Sequence, residues 1–215
     1  MFHAGRRYRP SAISLGRNAA GCIGFDGSPS CYENHSLKPD EENVMTNRKT
    51  NQDNSADQTL CPVARAGAVV GDRWTVLILR ELFMANHRFE EIQAQTGATP
   101  QMIAARLKKL EADGLVKRRI YSKRPLRHEY HLTRKGEAFS PVLLALRAWG
   151  ETWCKSPKEG RAVRYTHRTC GKPAGLGPVC DSCGKPLRRA DLVAELNPAY
   201  RGEREARWEA FKAGR

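Results

Sequence analysis

Apolar positions between Arg88 and Gly114 follow a helical period that is broken once. In Arg88-Phe-Glu-Glu-Ile-Gln-Ala-Gln-Thr-Gly97, Phe89 and Ile92 lie three apart, so one side of the segment is apolar, and Gly97 ends it at low steric cost. Thr99 is a good N-cap for a second segment, and Pro100 at its first position lacks only an amide hydrogen that would have no partner. Ile103, Leu107 and Leu110 then fall at i, i+4 and i+7, and Gly114 closes the piece. The pattern predicts two short helices joined by a tight turn, the helix-turn-helix arrangement, with the second helix over 100–113.

The flanking patterns extend this unit. Pro62–Val70 reads as a first helix ended by Gly71. Asp72 caps a second, Arg73–Phe83, with Trp74, Leu77, Ile78, Leu82 and Phe83 on a broad apolar face; Val76 and Leu79 on the far side make it the covered spine of the domain. Leu115–Tyr121 is rich in β-branched and aromatic residues, Ser122–Arg127 is a turn containing Pro125, and His128–Leu132 alternates again. A β-hairpin on a helix-turn-helix is a winged helix, with its wing over 117–131.

Thr133 caps a long helix, Arg134 to about Trp153, whose apolar positions are Phe139, Val142, Leu143, Leu146, Trp149 and Trp153. So long a stripe is a partner-helix surface, which predicts a homodimer through this helix and the first one; packing against the chain's own C-terminal segment is the alternative. Residues 1–59 are rich in Gly, Ser, Asn and charge without periodicity and read as a disordered extension. Met45 stands before a polar run and is a possible true start, which would make 1–44 an upstream artefact. The fold class expected is mainly α with a small β-hairpin (α+β). A winged helix-turn-helix with its dimerisation helix takes 60–154, a small zinc-ribbon-like module 155–198, and a C-terminal tail 199–215.

Charge adds a partner. The chain carries 37 Lys and Arg against 23 Asp and Glu, a net +14, which favours an anionic ligand. Residues 1–44 are balanced: Arg6, Arg7, Arg9, Arg17 and Lys38 face Asp26, Glu33, Asp40, Glu41 and Glu42. The wing region is not: Lys117, Arg118, Arg119, Lys123, Arg124, Arg127, Arg134 and Lys135 stand against Glu129 alone. At about 100° per residue from the Ile103 stripe, Gln101, Ala104, Ala105, Lys108 and Lys109 point outward, with Arg106 on the flank. A helix fits the DNA major groove, where Gln pairs with adenine and an alanine methyl touches thymine. A solvated helix face is the bland alternative, and the basic hairpin beside it favours phosphate binding. The predicted DNA contacts are Thr99, Gln101, Ala104, Ala105, Arg106, Lys108 and Lys109 on the helix, and Lys123, Arg124 and Arg127 on the wing.

No apolar run reaches the roughly 18 residues a membrane span needs, and no sustained apolar core follows Arg6, Arg7 and Arg9. A cytoplasmic protein is the expectation, its seven cysteines thiols or metal ligands rather than disulfides. His167-Arg-Thr-Cys170-Gly171 and Cys180-Asp-Ser-Cys183-Gly184 are two knuckles of one form, with two residues between ligands and a glycine that lets the backbone turn. Four N/S donors in two pairs suit tetrahedral zinc, and a full protein ligand set leaves no open position for water, so the zinc is structural. A metal-free loop with three cysteines is the alternative. Cys22, Cys31 and Cys154 have no partner spacing. Asp191–Leu196 is a short strand or helical turn, and Arg201–Lys212 a surface helix or a loosely held tail. No nucleophile–base pair and no open metal site occur, so an enzyme is not expected.

Cys61-Pro-Val, Gly71-Asp-Arg-Trp-Thr-Val-Leu-Ile-Leu-Arg-Glu-Leu82, Arg88-Phe-Glu-Glu-Ile92, Arg106-Leu-Lys-Lys-Leu-Glu-Ala-Asp-Gly-Leu-Val116, Pro125, Glu129-Tyr130 and Leu132-Thr-Arg-Lys-Gly136 together resemble the HxlR-type winged helix-turn-helix regulators, a branch close to MarR, over roughly 60–154. The resemblance implies a dimeric bacterial transcription factor, often a repressor; two-fold symmetry through the long helix would then present two recognition helices to a pseudo-palindrome in double-stranded DNA. Arg73 stands where the family more often has Lys, and Ala104 and Ala105 replace polar residues common there. Cys61 resembles in position a cysteine that senses electrophiles or oxidants in several relatives, although Pro62 removes one amide donor from the helix start that would activate it. The competing function is a protein-interaction module built from the winged helix and the ribbon, without specific DNA readout.

Overall fold

A computed structural model describes residues 59–214 of the chain. The extension expected over 1–59 and the start at Met45 lie outside them, apart from Thr59. Four helices open the described part: α1 (Pro62–Val70), α2 (Arg73–Phe83), α3 (Phe89–Thr96) and α4 (Pro100–Ala112). Their ends are set by the predicted residues. Asp72 Oδ1 accepts from the amides of Trp74 and Thr75, both at 3.0 Å, and Thr99 Oγ1 accepts from Met102 N at 3.3 Å. Glu91 Oε2 reaches back to the amides of His87 and Arg88, at 3.1 and 3.0 Å, to start α3, and Gly97 ends it.

The core gathers Ile78, Leu79 and Leu82 of α2, Ile92 of α3, and Ile103, Leu107 and Leu110 of α4, with Leu115 and Val116 beyond. Leu79, expected on the far side of α2, is fully buried, whereas Leu77 and Phe83 are half-buried. Helix α1 buries none of its residues.

The wing is β1 (Val116–Lys123) against β2 (Leu126–Leu132), antiparallel from Val116↔Leu132 to Lys123↔Leu126 with an irregularity between Ile120 and Ser122. Both strands therefore run further than the sequence suggests, and the turn is only Arg124-Pro125 rather than 122–127. Thr133 caps the next turn by accepting from Gly136 N at 3.2 Å. Gly136 is required there, because a Cβ would sit 2.1 Å from the Leu115 carbonyl oxygen. The single helix expected from Arg134 to Trp153 is in fact two, α5 (Arg134–Glu137) and α6 (Ser140–Trp153). Pro141 explains the break: it has no N–H to continue the ladder, but it fits the first turn of a new helix.

Beyond α6 come the strands β3 (Val163–His167), β4 (Lys172–Pro173) and β5 (Leu192–Leu196), in the order β4-β3-β5 with β3 antiparallel to both. This module packs Ala174, Cys180 and Leu187 on Leu144 of α6, with Tyr165 and Leu192 alongside. Arg147 of α6 places its guanidinium over the Tyr165 ring, 4.7 Å from the centroid, and donates to the carbonyls of Val163, Gly175 and Leu176.

Of the two expectations for residues 201–212, the structure takes the helix, and it starts earlier: α7 is Pro198–Ala213, capped by Asn197 Oδ1 on Ala199 N at 2.8 Å. It lies against α3 and reaches α2. Arg204 of α7 holds Glu81 of α2 through two hydrogen bonds, Nη1 to Oε1 at 3.0 Å and Nη2 to Oε2 at 2.5 Å. Glu81 has no solvent exposure, and Arg80 Nε at 2.8 Å and Asn86 Nδ2 at 2.6 Å complete its shell.

Burial pushes the Glu81 carboxyl up, but the Arg204 hydrogen bonds, the charges of Arg80 and Arg204, and Asn86 outweigh it and hold the group below the ordinary glutamate value of 4.5. A carboxylate with a folded value below its unfolded one adds stability that is present above the unfolded value and lost as pH falls through the folded one. Urea melts should therefore show unfolding free energy declining as pH drops below about 5. Glu81→Gln leaves the Arg204 guanidinium without its counter-charge, and is expected to cost about 3–5 kcal/mol at neutral pH and to remove that part of the acid dependence.

Candidate nucleic-acid interface and metal cluster

The apolar stripe of α4 faces the core, so the opposite side is turned to solvent. Thr99, Gln101, Ala104, Ala105, Lys108 and Lys109 are all exposed there. Lys109 Nζ pairs with Asp113 at 2.9 Å, an exposed contact across one turn. Arg106, on the flank, is turned back: its Nε and Nη2 grip Asp72 Oδ1 and Oδ2 at 2.9 and 3.1 Å. The Arg106 hydrogen bond is the main reason the Asp72 carboxyl lies below its usual range. Arg106 thus braces the cap of α2 against the middle of α4, and the side chains available for groove contact on this helix are Gln101, Ala104, Ala105 and Lys108, with Lys109 beside them.

On the wing, Lys117, Arg119, Lys123, Arg124 and Arg127 are exposed, and Lys123, Arg124 and Arg127 have no ion-pair partner among the described residues. Arg118 is engaged with Glu111 at 2.9 Å and Arg88 with Glu129 at 3.3 Å, so the cations near the base of the wing are partly neutralised while those at the tip are not. The wing is tied to the helices at its base: Tyr130 N donates to the His87 carbonyl at 2.8 Å, and His87 Nδ1 lies 2.9 Å from the Tyr130 carbonyl. The wing also exposes apolar side chains that the sequence reading did not single out, Ile120 in mid-strand and Leu126 beside the turn.

The knuckle residues come together. One nitrogen of His167 and the sulfurs of Cys170, Cys180 and Cys183 all lie within 4.8 Å of one another. His167 Nδ1 is 3.5 Å from Cys170 Sγ and 3.3 Å from Cys183 Sγ, and the Cys170 and Cys180 sulfurs are 3.8 Å apart. A tetrahedral ion with bonds of roughly 2.3 Å to sulfur and 2.0–2.1 Å to nitrogen requires donor separations of roughly 3.8 Å between sulfurs and 3.5 Å between nitrogen and sulfur. The tetrad can therefore hold a metal ion with little rearrangement. Each knuckle is closed by its glycine: Gly171 N donates to the His167 carbonyl and Gly184 N to the Cys180 carbonyl, both at 2.8 Å, with positive φ at both glycines. Burial raises the Cys180 thiol, but hydrogen bonds from the amides around Ser182 and Cys183 and from the neighbouring thiols bring it down to about 7, while the same neighbouring thiols push Cys183 up, so the cluster gives up one proton more readily than the next.

Cys61 is exposed immediately before α1, and Cys154 is exposed at the end of α6. Cys22 and Cys31 lie outside the described residues. No helix among the described residues is long and apolar enough to cross a membrane.

Sequence reasoning missed the Glu81–Arg204 contact and the Arg189 guanidinium, which donates to the Phe83 and Leu82 carbonyls at 3.0 and 3.4 Å and so closes the C-terminal end of α2. A signal for the first exists. Glu81 follows Ile78 by three and Trp74 by seven, so it falls inside an apolar stripe, and a charge in that place needs a buried partner.

Comparison with known proteins agrees with this geometry. A family described as HxlR-like helix-turn-helix matches residues 69–158. Rv3095 of Mycobacterium tuberculosis, an uncharacterized HTH-type transcriptional regulator, is 35% identical over 141 residues, which is 66% of this chain and 89% of that protein. YdeP of Bacillus subtilis, named in the same way, is 34% identical over 111 residues, 51% of this chain and 87% of its own. Among solved structures, that of PA1607, a proposed transcription factor, is 37% identical and superposes with a TM-score of 0.52 over 64% of this chain and 95% of its own.

Proposed function

The chain belongs to the HxlR-like helix-turn-helix family, and from that membership we propose that it is a cytoplasmic, dimeric, sequence-specific DNA-binding transcriptional regulator that acts as a repressor. One observation carries the reading: the exposed face of α4 presents Gln101, two alanines and two lysines beside a wing whose tip cations Lys123, Arg124 and Arg127 are unpaired among the described residues. In this reading α4 lies in the major groove, with Gln101 and the Ala104 and Ala105 methyls against base edges and Lys108 near the phosphates, while the wing follows the backbone. Arg106 serves the head from within, through Asp72. Loss of affinity with salt tests it. The slope of log K against log salt should flatten by about 0.9 for each phosphate contact removed when Lys123, Arg124 and Arg127 are changed to Ala, whereas Gln101→Ala should alter preference among sequences with little change in slope. A purified protein that leaves its neighbouring promoter fragment unretarded at low salt favours the protein-interaction alternative instead.

The dimer is supported by apolar surface left exposed among the described residues. Val63 on α1, and Val142, Leu146, Trp149 (57% exposed) and Trp153 (74% exposed) on α6, are the apolar residues that a second copy would bury. A two-fold pair of heads then reads half-sites about 10 bp apart or a multiple of that. Trp149→Glu should convert the dimer to monomer in sedimentation analysis and weaken DNA binding, leaving the melting of each subunit cooperative.

His167, Cys170, Cys180 and Cys183 hold a structural zinc in this reading, four protein ligands leaving no position for a substrate or reactive water. No catalytic role is assigned to it. Purified protein should contain one zinc per chain, and its cobalt(II) form should show the visible bands of a tetrahedral site with thiolate ligands; Cys180→Ser should lose both.

A further inference from the structure

The first helix of the helix-turn-helix pair, α3, is gripped at its end by residues from α7. Gln95 is the penultimate residue of α3, two before Gly97 and four before the Thr99 cap of α4. Its side-chain Nε2 donates to the Arg204 carbonyl at 2.9 Å, and its own carbonyl accepts from Arg207 Nη1 at 3.0 Å and Arg80 Nη2 at 3.3 Å. One residue, Arg204, thus takes part in two buried ties, its carbonyl to α3 and its guanidinium to Glu81 of α2. The last turn of α7 continues to the start of α4, where Ala210 and Phe211 border one cleft with Phe89, Gln93 and Pro100.

The same helix is joined to the Cys/His tetrad through β5. His167, a ligand at the end of β3, pairs with Leu192, the first residue of β5; β5 runs to Leu196, and Asn197 caps α7. From the second knuckle the chain passes through Arg189, whose guanidinium closes α2, before it enters β5. The only covalent route from the winged helix to α7 therefore passes through both knuckles. The four donors come from two separated turns and meet within 4.8 Å of one another, so an ion bound to all four would tie the end of β3 to the second knuckle.

We propose that α7 is a brace for the DNA-reading head, that Arg204 is its positioning residue, and that an ion in the His167, Cys170, Cys180 and Cys183 tetrad is needed to keep the brace seated. Metal occupancy then controls DNA affinity without a metal–DNA contact. Arg204 touches no DNA in this account; it fixes the turn between α3 and α4 so that Gln101 and Lys108 arrive at the duplex together. The proposal rests on the DNA-binding reading above.

The test uses the full zinc-loaded chain and Arg204→Ala, compared well below the melting temperature by amide hydrogen exchange and by titration with the promoter fragment. The brace predicts faster exchange over 198–213 and 92–99, and DNA binding weakened by about tenfold. Removing zinc from the wild-type chain with a chelator should give the same exchange pattern and the same loss, restored by zinc. Should the alanine variant fail to fold, Arg204→Lys keeps the charge but not the two-pronged contact, and is expected to show the same changes in smaller degree. The proposal is overturned if α7 exchanges freely while DNA affinity stays within about twofold of wild type, or if exchange over α7 is indifferent to Arg204 and to zinc. If the loaded wild-type chain binds no DNA, the functional reading fails on that result alone, and the exchange data still decide whether Arg204 and the metal seat α7.

Discussion

A carboxylate without access to water sits at the heart of this molecule, and the placement of the last helix follows from how it is satisfied. Glu81 lies on the core side of α2, beside Ile78 and Leu82, where an unpaired charge would cost several kcal/mol. Arg80 and Asn86 are close in sequence and supply part of its shell, but the paired contact to both oxygens comes from Arg204, 123 residues later. A buried ion pair adds little net stability over an apolar pair of the same shape; what it adds is selectivity, because an apolar residue of α7 in place of Arg204 would leave the buried Glu81 with only Arg80 and Asn86. The pair therefore specifies where the last helix must lie.

The winged head itself uses shorter-range devices. Asp72 caps α2 and is held by Arg106 of α4, so a single carboxylate joins the start of one helix to the middle of another. The backbone between α4 and the wing is packed so closely that Gly136 admits no side chain beside Leu115. The first contact holds α4 on α2, and the second holds the turn after the wing against the residue before its first strand.

Most of the head was legible in the sequence because its signals are local. Asp72, Thr99-Pro100, Gly97 and the Ile103, Leu107, Leu110 spacing act within a few residues of the ends and faces they determine, and each does in the structure what its chemistry suggests. The His167 and Cys180 knuckles are local in the same sense, and only their meeting depends on the fold. What escaped was either long-range or a competition between local signals. Arg204 sits in a segment of alternating charge whose pattern gives no hint of which arginine turns inward. The unbroken helix expected over 134–153 ignored Pro141, whose missing N–H outweighs the apolar period on both sides of it. The wing turn was drawn too wide because Pro125 and its polar neighbours suggest a loop, whereas the strands pair up to Lys123 and Leu126.

Helix α6 shows how the two halves of the chain coexist. The sequence left open whether its apolar stripe meets a second copy or the chain's own C-terminal segment, as though one surface had to serve either. At about 100° per residue, Ser140, Leu144, Arg147 and Glu151 fall within some 60° of one another, while Val142, Leu146, Trp149 and Trp153 cluster on the opposite side. The first group carries the module: Leu144 is in its core, Arg147 binds its carbonyls and Glu151 accepts from Ala162 N at 2.9 Å. The second group is exposed. The helix therefore uses two faces in two ways, a mostly polar one that holds the C-terminal module and an apolar one opposite, and seating the module leaves the apolar face whole. A subunit can carry the module and still offer the same helix to a partner, so that a brace acting within each chain and a two-fold contact between chains need not compete for the same side chains.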